Sequence, residues 1–182
     1  SSIPAGVVYD TLERVTPEGA SSARRDRRDL VVMQAAAGST VAGAFTTNAF
    51  CAAPVQVCRK HLREGQSQSG SWYLVTNTGF ANAGTGAVGM DDCLVVCAAL
   101  AERSGVALEH VLPFSTGVIG ERLPVERVVA GLAACLENLD ESGWSEAAHG
   151  IMTTDTRPKG ASLQLLLQGK TVSITGIAKG AG

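Results

Sequence analysis

An α+β fold, with mixed sheets layered with helices, is the class this sequence predicts. Strand-like runs come first, helical patterns fill the middle, and a strand pair closes the chain. That order differs from the regular strand–helix alternation of a repeating βαβ protein. No internal repeat and no linker-like stretch divides residues 1–182, so one domain is expected throughout. Hydrophobic residues make up 45% of the chain but aromatics only 4%, so aliphatic side chains and alanine must fill the core.

Taken in order, residues 1–20 predict irregular structure, and the mixed-sign run from Ala23 to Asp29 predicts a solvated loop before a strand. Leu30–Met33 and Thr40–Thr46 are two β-rich runs joined through Ala-Gly-Ser, which predicts a strand pair. Ala53 to Cys58 alternates apolar and polar side chains and predicts another strand. Ser71 to Asn77 predicts a more buried one, and Gly65–Gly70 between them a surface loop. Met90 to Arg103 has the apolar spacing of a helix, opened by Asp91 and Asp92 and stopped by Gly105. Pro124 occupies the place of a first-turn proline before a second helix, Val125 to Leu139. Ser145 predicts the cap of a short third helix carrying Ala147, Ala148 and Ile151. Leu163–Gln168 and Thr171–Ile177 predict a hairpin about Gly169-Lys170, whose open edge needs a neighbour.

Charge and cysteine usage narrow the functional classes. Fifteen basic residues against seventeen acidic ones give a net charge of −2, which argues against nucleic acid or an anionic membrane as a partner held by bulk charge. No apolar run reaches the ~18 residues of a membrane span, and the first residues lack a signal-peptide pattern. A soluble, cytoplasmic protein is the expectation. The five cysteines, Cys51, Cys58, Cys93, Cys97 and Cys135, do not form a secreted disulfide framework. Cys93 and Cys97 share a helix face and predict core positions. His61, His110 and His149 lack zinc spacing relative to the cysteines, so no metal is expected.

Four stretches carry chemical possibilities. Pro113-Phe114-Ser115-Thr116-Gly117-Val118-Ile119-Gly120 runs from an apolar lead-in into a turn where Thr116 offers a hydroxyl and an N–H, and Gly117 an unshielded N–H. Two donors aimed at one point can stabilise an oxyanion; the plainer alternative is a strand-to-turn junction. Asn77 to Gly86 lacks the Gly-Lys-Ser/Thr of a phosphate loop and the third glycine of a dinucleotide fingerprint. It predicts a tight polar turn in which Asn77 and Asn82 bind backbone groups. Met152 to Lys159 gathers three threonines around Asp155, as either a polar-substrate site or a capped helix end before Pro158. Gly176 to Gly182 holds Lys179 among small residues, where it is either a carboxylate-binding point charge or simply solvated.

Together these stretches resemble the N-terminal (α) part of the ornithine acetyltransferase family, also called glutamate N-acetyltransferases or bifunctional arginine-biosynthesis proteins. The resemblance runs from about Gly6 to Gly182. It rests on Ala44-Phe45-Thr46-Thr47-Asn48 with Ala53-Pro54-Val55, Asn77-Thr78-Gly79-Phe80-Ala81-Asn82-Ala83, and Ser115 to Gly120. Ile151-Met152-Thr153-Thr154-Asp155-Thr156 and Gly176 to Gly182 complete the set in the family's order. Phe80 departs from the commoner polar residue at its place.

The resemblance implies a DmpA/ornithine-acetyltransferase-like α chain of a self-cleaved heterodimer. The precursor cuts itself before a threonine beyond Gly182, and that threonine becomes the N-terminal nucleophile of a β chain, with an α2β2 heterotetramer as the assembly. The implied reaction moves an acetyl group from N-acetylornithine to glutamate by a ping-pong, acyl-enzyme route, without metal, nucleotide or prosthetic group. By the same resemblance Thr116 and Gly117 form the oxyanion hole, and Thr153 and Lys179 bind substrate. Use of acetyl-CoA as a second donor stays open. So do a relative with another acyl donor or acceptor, an N-terminal-nucleophile amidohydrolase, and a non-catalytic interaction module.

Overall fold

The computed structural model describes residues 5–9 and 28–180. Four strands form the main sheet in the order β1 (Ala5–Tyr9), β2 (Arg28–Ala35), β3 (Trp72–Phe80), β4 (Val111–Val118). The first three are antiparallel, whereas β3 and β4 are parallel, so the sheet is mixed. A parallel pair needs a crossover, and α2 (Gly86–Ser104) with a single 3-10 turn at Leu108–His110 supplies it. β5 (Lys159–Leu167) and β6 (Lys170–Ala178) form a separate antiparallel hairpin. The architecture is α+β, as the sequence predicts.

Alternation along the central strands sorts the two faces. Leu30, Val32, Tyr73 and Val75 face a core with Val96, Leu100 and Cys97 of α2 and with Val128 and Leu132 of α3 (Val125–Glu137). Val31 and Met33, one residue out of phase, face Ala147 of α4 (Trp144–Gly150), together with Ile177 at the end of β6. This is the period-two consequence of a sheet covered on both sides.

The free edge of β4 is closed by α1 (Ala53–Gly65). From that helix, His61 donates its Nδ1 hydrogen to the Val111 carbonyl (2.7 Å) and the Cys58 thiol donates to the Pro113 carbonyl (2.9 Å). Alternate carbonyls of an edge strand thereby find partners out of water, and Pro113, which has no N–H to offer, is tolerated there.

Several expectations need correction. Residues 5–9 form a strand rather than irregular structure; the remainder of 1–20 and residues 23–27 of the charged run lie outside the described residues. Arg28 and Asp29 belong to β2, where Arg28 pairs with Glu146 of α4 and Asp29 is buried, so that end of the run is not a solvated loop. Thr40–Thr46 is no strand: β1 and β3 occupy both edges of β2, leaving no ladder for it to join. Val41 and Phe45 instead pack beside Trp72 and Leu62. Ala53–Cys58 is the start of α1, not a strand. Its buried residues, Ala53, Pro54, Val57, Cys58, His61 and Leu62, recur at helical spacing, which a six-residue window was too short to separate from alternation.

Helix α2 begins at Gly86, a turn earlier than expected, because Gly86 and Gly89 are poor helix formers that hide its start. Asp91 and Asp92 therefore lie inside it rather than opening it, while Gly105 (φ 66°) does stop it. Buried Asp92 receives both arms of Arg122 at 2.9 Å, which ties the loop before α3 to α2. Ser145 lies within α4 and makes no cap; Gly143 occupies that position, and Ile151 follows the helix end. In the hairpin the turn falls on Gln168-Gly169, both with positive φ, as a two-residue type I′ turn requires, and β5 begins at Lys159, earlier than predicted.

Candidate active site

The matched ends of β3 and β4 build the site. In parallel register, Asn77 lies opposite Ser115, Thr78 opposite Thr116, and Gly79 opposite Gly117. The first pair interlocks: Ser115 Oγ donates to Asn77 Oδ1 (2.5 Å), and Asn77 Nδ2 donates to the Phe80 carbonyl (2.8 Å). Beyond the strands Asn82, fully buried at φ 47°, donates to the Gly89 carbonyl (2.8 Å), and its own carbonyl accepts the Ala53 N–H (3.3 Å). Both asparagines thus bind backbone groups, as the sequence predicts, but Asn77 does so from within β3 rather than from a turn, and Asn82 holds the first turns of α1 and α2 beside the strand ends.

One residue out of phase, Thr78 and Thr116 point to the opposite face. Thr78 is buried and donates its hydroxyl to the Gly150 carbonyl at the end of α4 (2.6 Å). That bond seats the α4 terminus, and the loop after it, against the strand ends. Thr116 is half-buried, and its hydroxyl has no hydrogen-bond partner among the described residues. Gly117 has φ 139°, and a Cβ placed there would lie 2.1 Å from the Gly79 carbonyl carbon. Only glycine lets the two strands approach this closely.

A cleft of about 620 Å³ opens beside this pair. Thr116, Gly117, Thr153 and Lys179, from three distant parts of the chain, all line it. The four residues singled out from the sequence are therefore neighbours around one space. Arg28 and Asp29 at the start of β2, Thr78, Gly79 and His149 also line the cleft, and the sequence reading passed over them in this role. The repeated Thr-Gly pair, at 78–79 and 116–117, was the visible signal for Thr78 and Gly79. Nothing local marked Arg28 or His149, since only the tertiary fold brings β2 and α4 to the strand ends.

Asp155 organises the rim. Its side chain is 1% exposed and accepts from Lys159 Nζ (2.6 Å), the Gly180 N–H (2.8 Å) and the Thr153 N–H (3.3 Å). The Lys159 ammonium, followed by the backbone donors, holds this carboxyl well below the usual carboxylate range, and burial opposes them without winning. The cysteines contrast with it. Burial pushes the Cys58 thiol up to about 12, and the Cys97 thiol is raised by its hydrogen bond with Cys93 and by burial. Such thiols stay protonated at neutral pH and are poor nucleophiles. Cys58, Cys93, Cys97 and Cys135 are buried, and none of the five is in a disulfide. Among the described residues, no group of three or more His, Cys, Asp or Glu is arranged to hold a metal ion, and no helix is long and apolar enough to cross a membrane.

The cleft therefore combines an uncommitted hydroxyl, a bare glycine backbone, a threonine loop and a lysine. A small polar molecule bearing a carboxylate matches that chemistry.

Residues 17–182 match the ArgJ family. The arginine biosynthesis bifunctional protein ArgJ of Pseudomonas fluorescens (strain Pf0-1) is 55% identical over 159 residues, covering 87% of this chain and 38% of that protein. The protein of the same name from Pseudomonas syringae pv. tomato is 53% identical over 167 residues, covering 90% of this chain and 40% of that protein. The chain thus spans about two-fifths of the length of these curated relatives. Among solved structures, the arginine biosynthesis bifunctional protein argJ of Bacillus halodurans matches with a TM-score of 0.80 at 30% identity, over 100% of this chain and 87% of that one. The ornithine acetyltransferase of Mycobacterium tuberculosis, solved in complex with ornithine, matches with a TM-score of 0.78 at 31% identity, over 100% of this chain and 90% of that one.

Proposed function

Because the chain belongs to the ArgJ family, we propose that the protein it represents transfers an acetyl group from N-acetylornithine to glutamate in arginine biosynthesis. The observation that carries this reading is the convergence of Thr116, Gly117, Thr153 and Lys179 on one cleft. In the proposed reaction an N-terminal threonine, beyond Gly182 in the precursor, attacks the acetyl carbonyl. Its own α-amine, with a reference pKa of roughly 8, takes the hydroxyl proton and delivers it to the departing ornithine amine. The acetyl-threonine ester then reacts with the amine of glutamate and regenerates the hydroxyl. Each tetrahedral intermediate carries an oxyanion, for which Thr116 and Gly117 are the proposed donors. Lys179 pairs with the substrate α-carboxylate, and Thr153 supplies polar contacts beside it. The chemistry needs no metal or prosthetic group.

The same reading makes residues 1–182 one domain, the α chain of an autoprocessed precursor that pairs with a β chain, assembles as α2β2 and works in the cytoplasm. A contrast in coverage supports two chains. The sequence spans 38% and 40% of the curated relatives but 87% and 90% of the solved chains, the relation expected if the solved chains are fragments of cut precursors.

The test is a transfer assay with the full-length protein. Beyond the single equivalent per site released on acylation, ornithine should appear from N-acetylornithine only when glutamate is present, with N-acetylglutamate formed in equal amount during turnover. Acetate release without glutamate would overturn the transferase in favour of an amidohydrolase. Replacing N-acetylornithine with acetyl-CoA decides whether the protein is bifunctional, as its Pseudomonas relatives are described.

A further inference from the structure

The loop after α4 and the tail after β6 both edge the cleft, and one buried carboxylate joins them. Asp155 Oδ2 accepts the Thr153 N–H from its own loop, and Oδ1 accepts the Gly180 N–H from twenty-five residues away. Lys159, at the first position of β5, donates to Asp155 Oδ1 and also to the Gly180 carbonyl, so ammonium and carboxylate together hold both polar groups of Gly180. Thr153 lies two residues before Asp155, and Lys179 immediately precedes Gly180. The clamp therefore fixes the backbone beside two cleft-lining side chains, with the Asp155 carboxylate at its centre out of solvent.

We propose that Asp155 is a positioning residue, which holds Thr153 and Lys179 at a fixed distance from Thr116 and so sets the span available to the acyl donor. The inference rests on the reaction proposed above and adds to it a residue that need not touch substrate. Lys179 is exposed, and small residues flank it, so its neighbours offer little side-chain area to pack it in place. A lysine on an untethered tail would have to be ordered at each binding event, and that ordering weakens binding. A tail tied down in advance leaves only the side-chain rotamers to order. Because the carboxylate contact is equally present in ground and transition states, its loss raises KM and leaves kcat nearly unchanged.

Four variants of the full-length protein test this: Asp155→Asn, Lys179→Met, the double variant, and Lys159→Met. Asp155→Asn keeps the size and loses the charge. It should raise KM for N-acetylornithine about tenfold with kcat within about threefold of wild type. In the Lys179→Met background the same change should add less than about twofold, because no ammonium remains to be positioned. An unchanged KM in Asp155→Asn, or effects that multiply in the double variant, would overturn the proposal. If Asp155→Asn fails to fold, Lys159→Met, at a partly exposed side chain, still decides the matter. It should raise the same KM about threefold, and an unchanged value overturns the clamp. Amide hydrogen exchange separates this failure from failure of the reaction itself. A wild-type protein inert toward N-acetylornithine refutes the reaction, whereas faster exchange at Thr153 and Gly180 in Asp155→Asn supports the clamp, and unchanged exchange refutes it.

Discussion

Thr116 and Gly117 are adjacent, yet they answer to different physical demands. The Thr116 hydroxyl, without a partner among the described residues, faces the cleft from a strand whose backbone is held by its neighbours, so the side chain can be removed without disturbing the ladder. Thr116→Ala should therefore fold and self-cleave normally. If that hydroxyl is an oxyanion donor, single-turnover acetylation should slow by about a hundredfold or more with KM nearly unchanged. A rate within about threefold of wild type would reduce Thr116 to a structural residue of β4. Gly117→Ala is the wrong probe for the same question. Its Cβ would lie 2.1 Å from the Gly79 carbonyl carbon and 2.5 Å from the Phe80 nitrogen, at φ 139°. The strands must part or the turn must change, so a loss of about 3 kcal/mol or more is expected in denaturant unfolding. Stability close to wild type would show that β3 and β4 can separate here without cost.

The segment 53–58 shows what a short sequence window conceals at the level of an element. Alternation suggested a strand, but a half-buried strand would bury every second residue. Here Val57 and Cys58, neighbours in sequence, are both buried, and the pattern returns at His61 and Leu62. Val57→Ala should cost about 1–3 kcal/mol in denaturant unfolding, whereas Val55→Ala, at a half-buried position, should cost much less. Equal costs would speak against the helical register. The elements that were legible carried strong local signals: Gly105 ends α2, Pro124 precedes α3, and the β3 and β4 runs are apolar and bounded by small residues. Those that were not legible depend on distant partners. Thr40–Thr46 has the composition of a strand but finds both edges of β2 taken. Asp155 stands in plain view among threonines, yet its role depends on Gly180 being folded back onto it. Lys179 and Thr153 were found through the motifs they sit in; that they share a cleft with Thr116 is a fact of the tertiary structure.

For the whole molecule, the hairpin poses the remaining question. Among the described residues β5 and β6 pair only with each other, and register places Leu163 opposite Ile174 and Leu165 opposite Val172 on one face, with Leu167 beside them. Leu163, Leu167 and Ile174 are each 54% exposed, so this face is an apolar surface, and neither edge of the ribbon is paired among the described residues. A two-stranded ribbon of this kind is marginal in water without something to pack against. The protein proposed here has that something in the β chain, and the covered face should be the one bearing Leu163 and Ile174. Purified native protein should then give two bands of unlike size on a denaturing gel, and the pair should elute together under native conditions. Replacing both Leu163 and Ile174 with lysine sets two charges opposite each other on that face, and should separate the two polypeptides or prevent their assembly. Leu166→Lys, on the other face and already 71% exposed, should leave the complex intact. Equal tolerance of both changes would mean that the apolar face is not where the partner sits. One intact band from an active enzyme would remove the second chain from the mechanism altogether, and with it the N-terminal threonine.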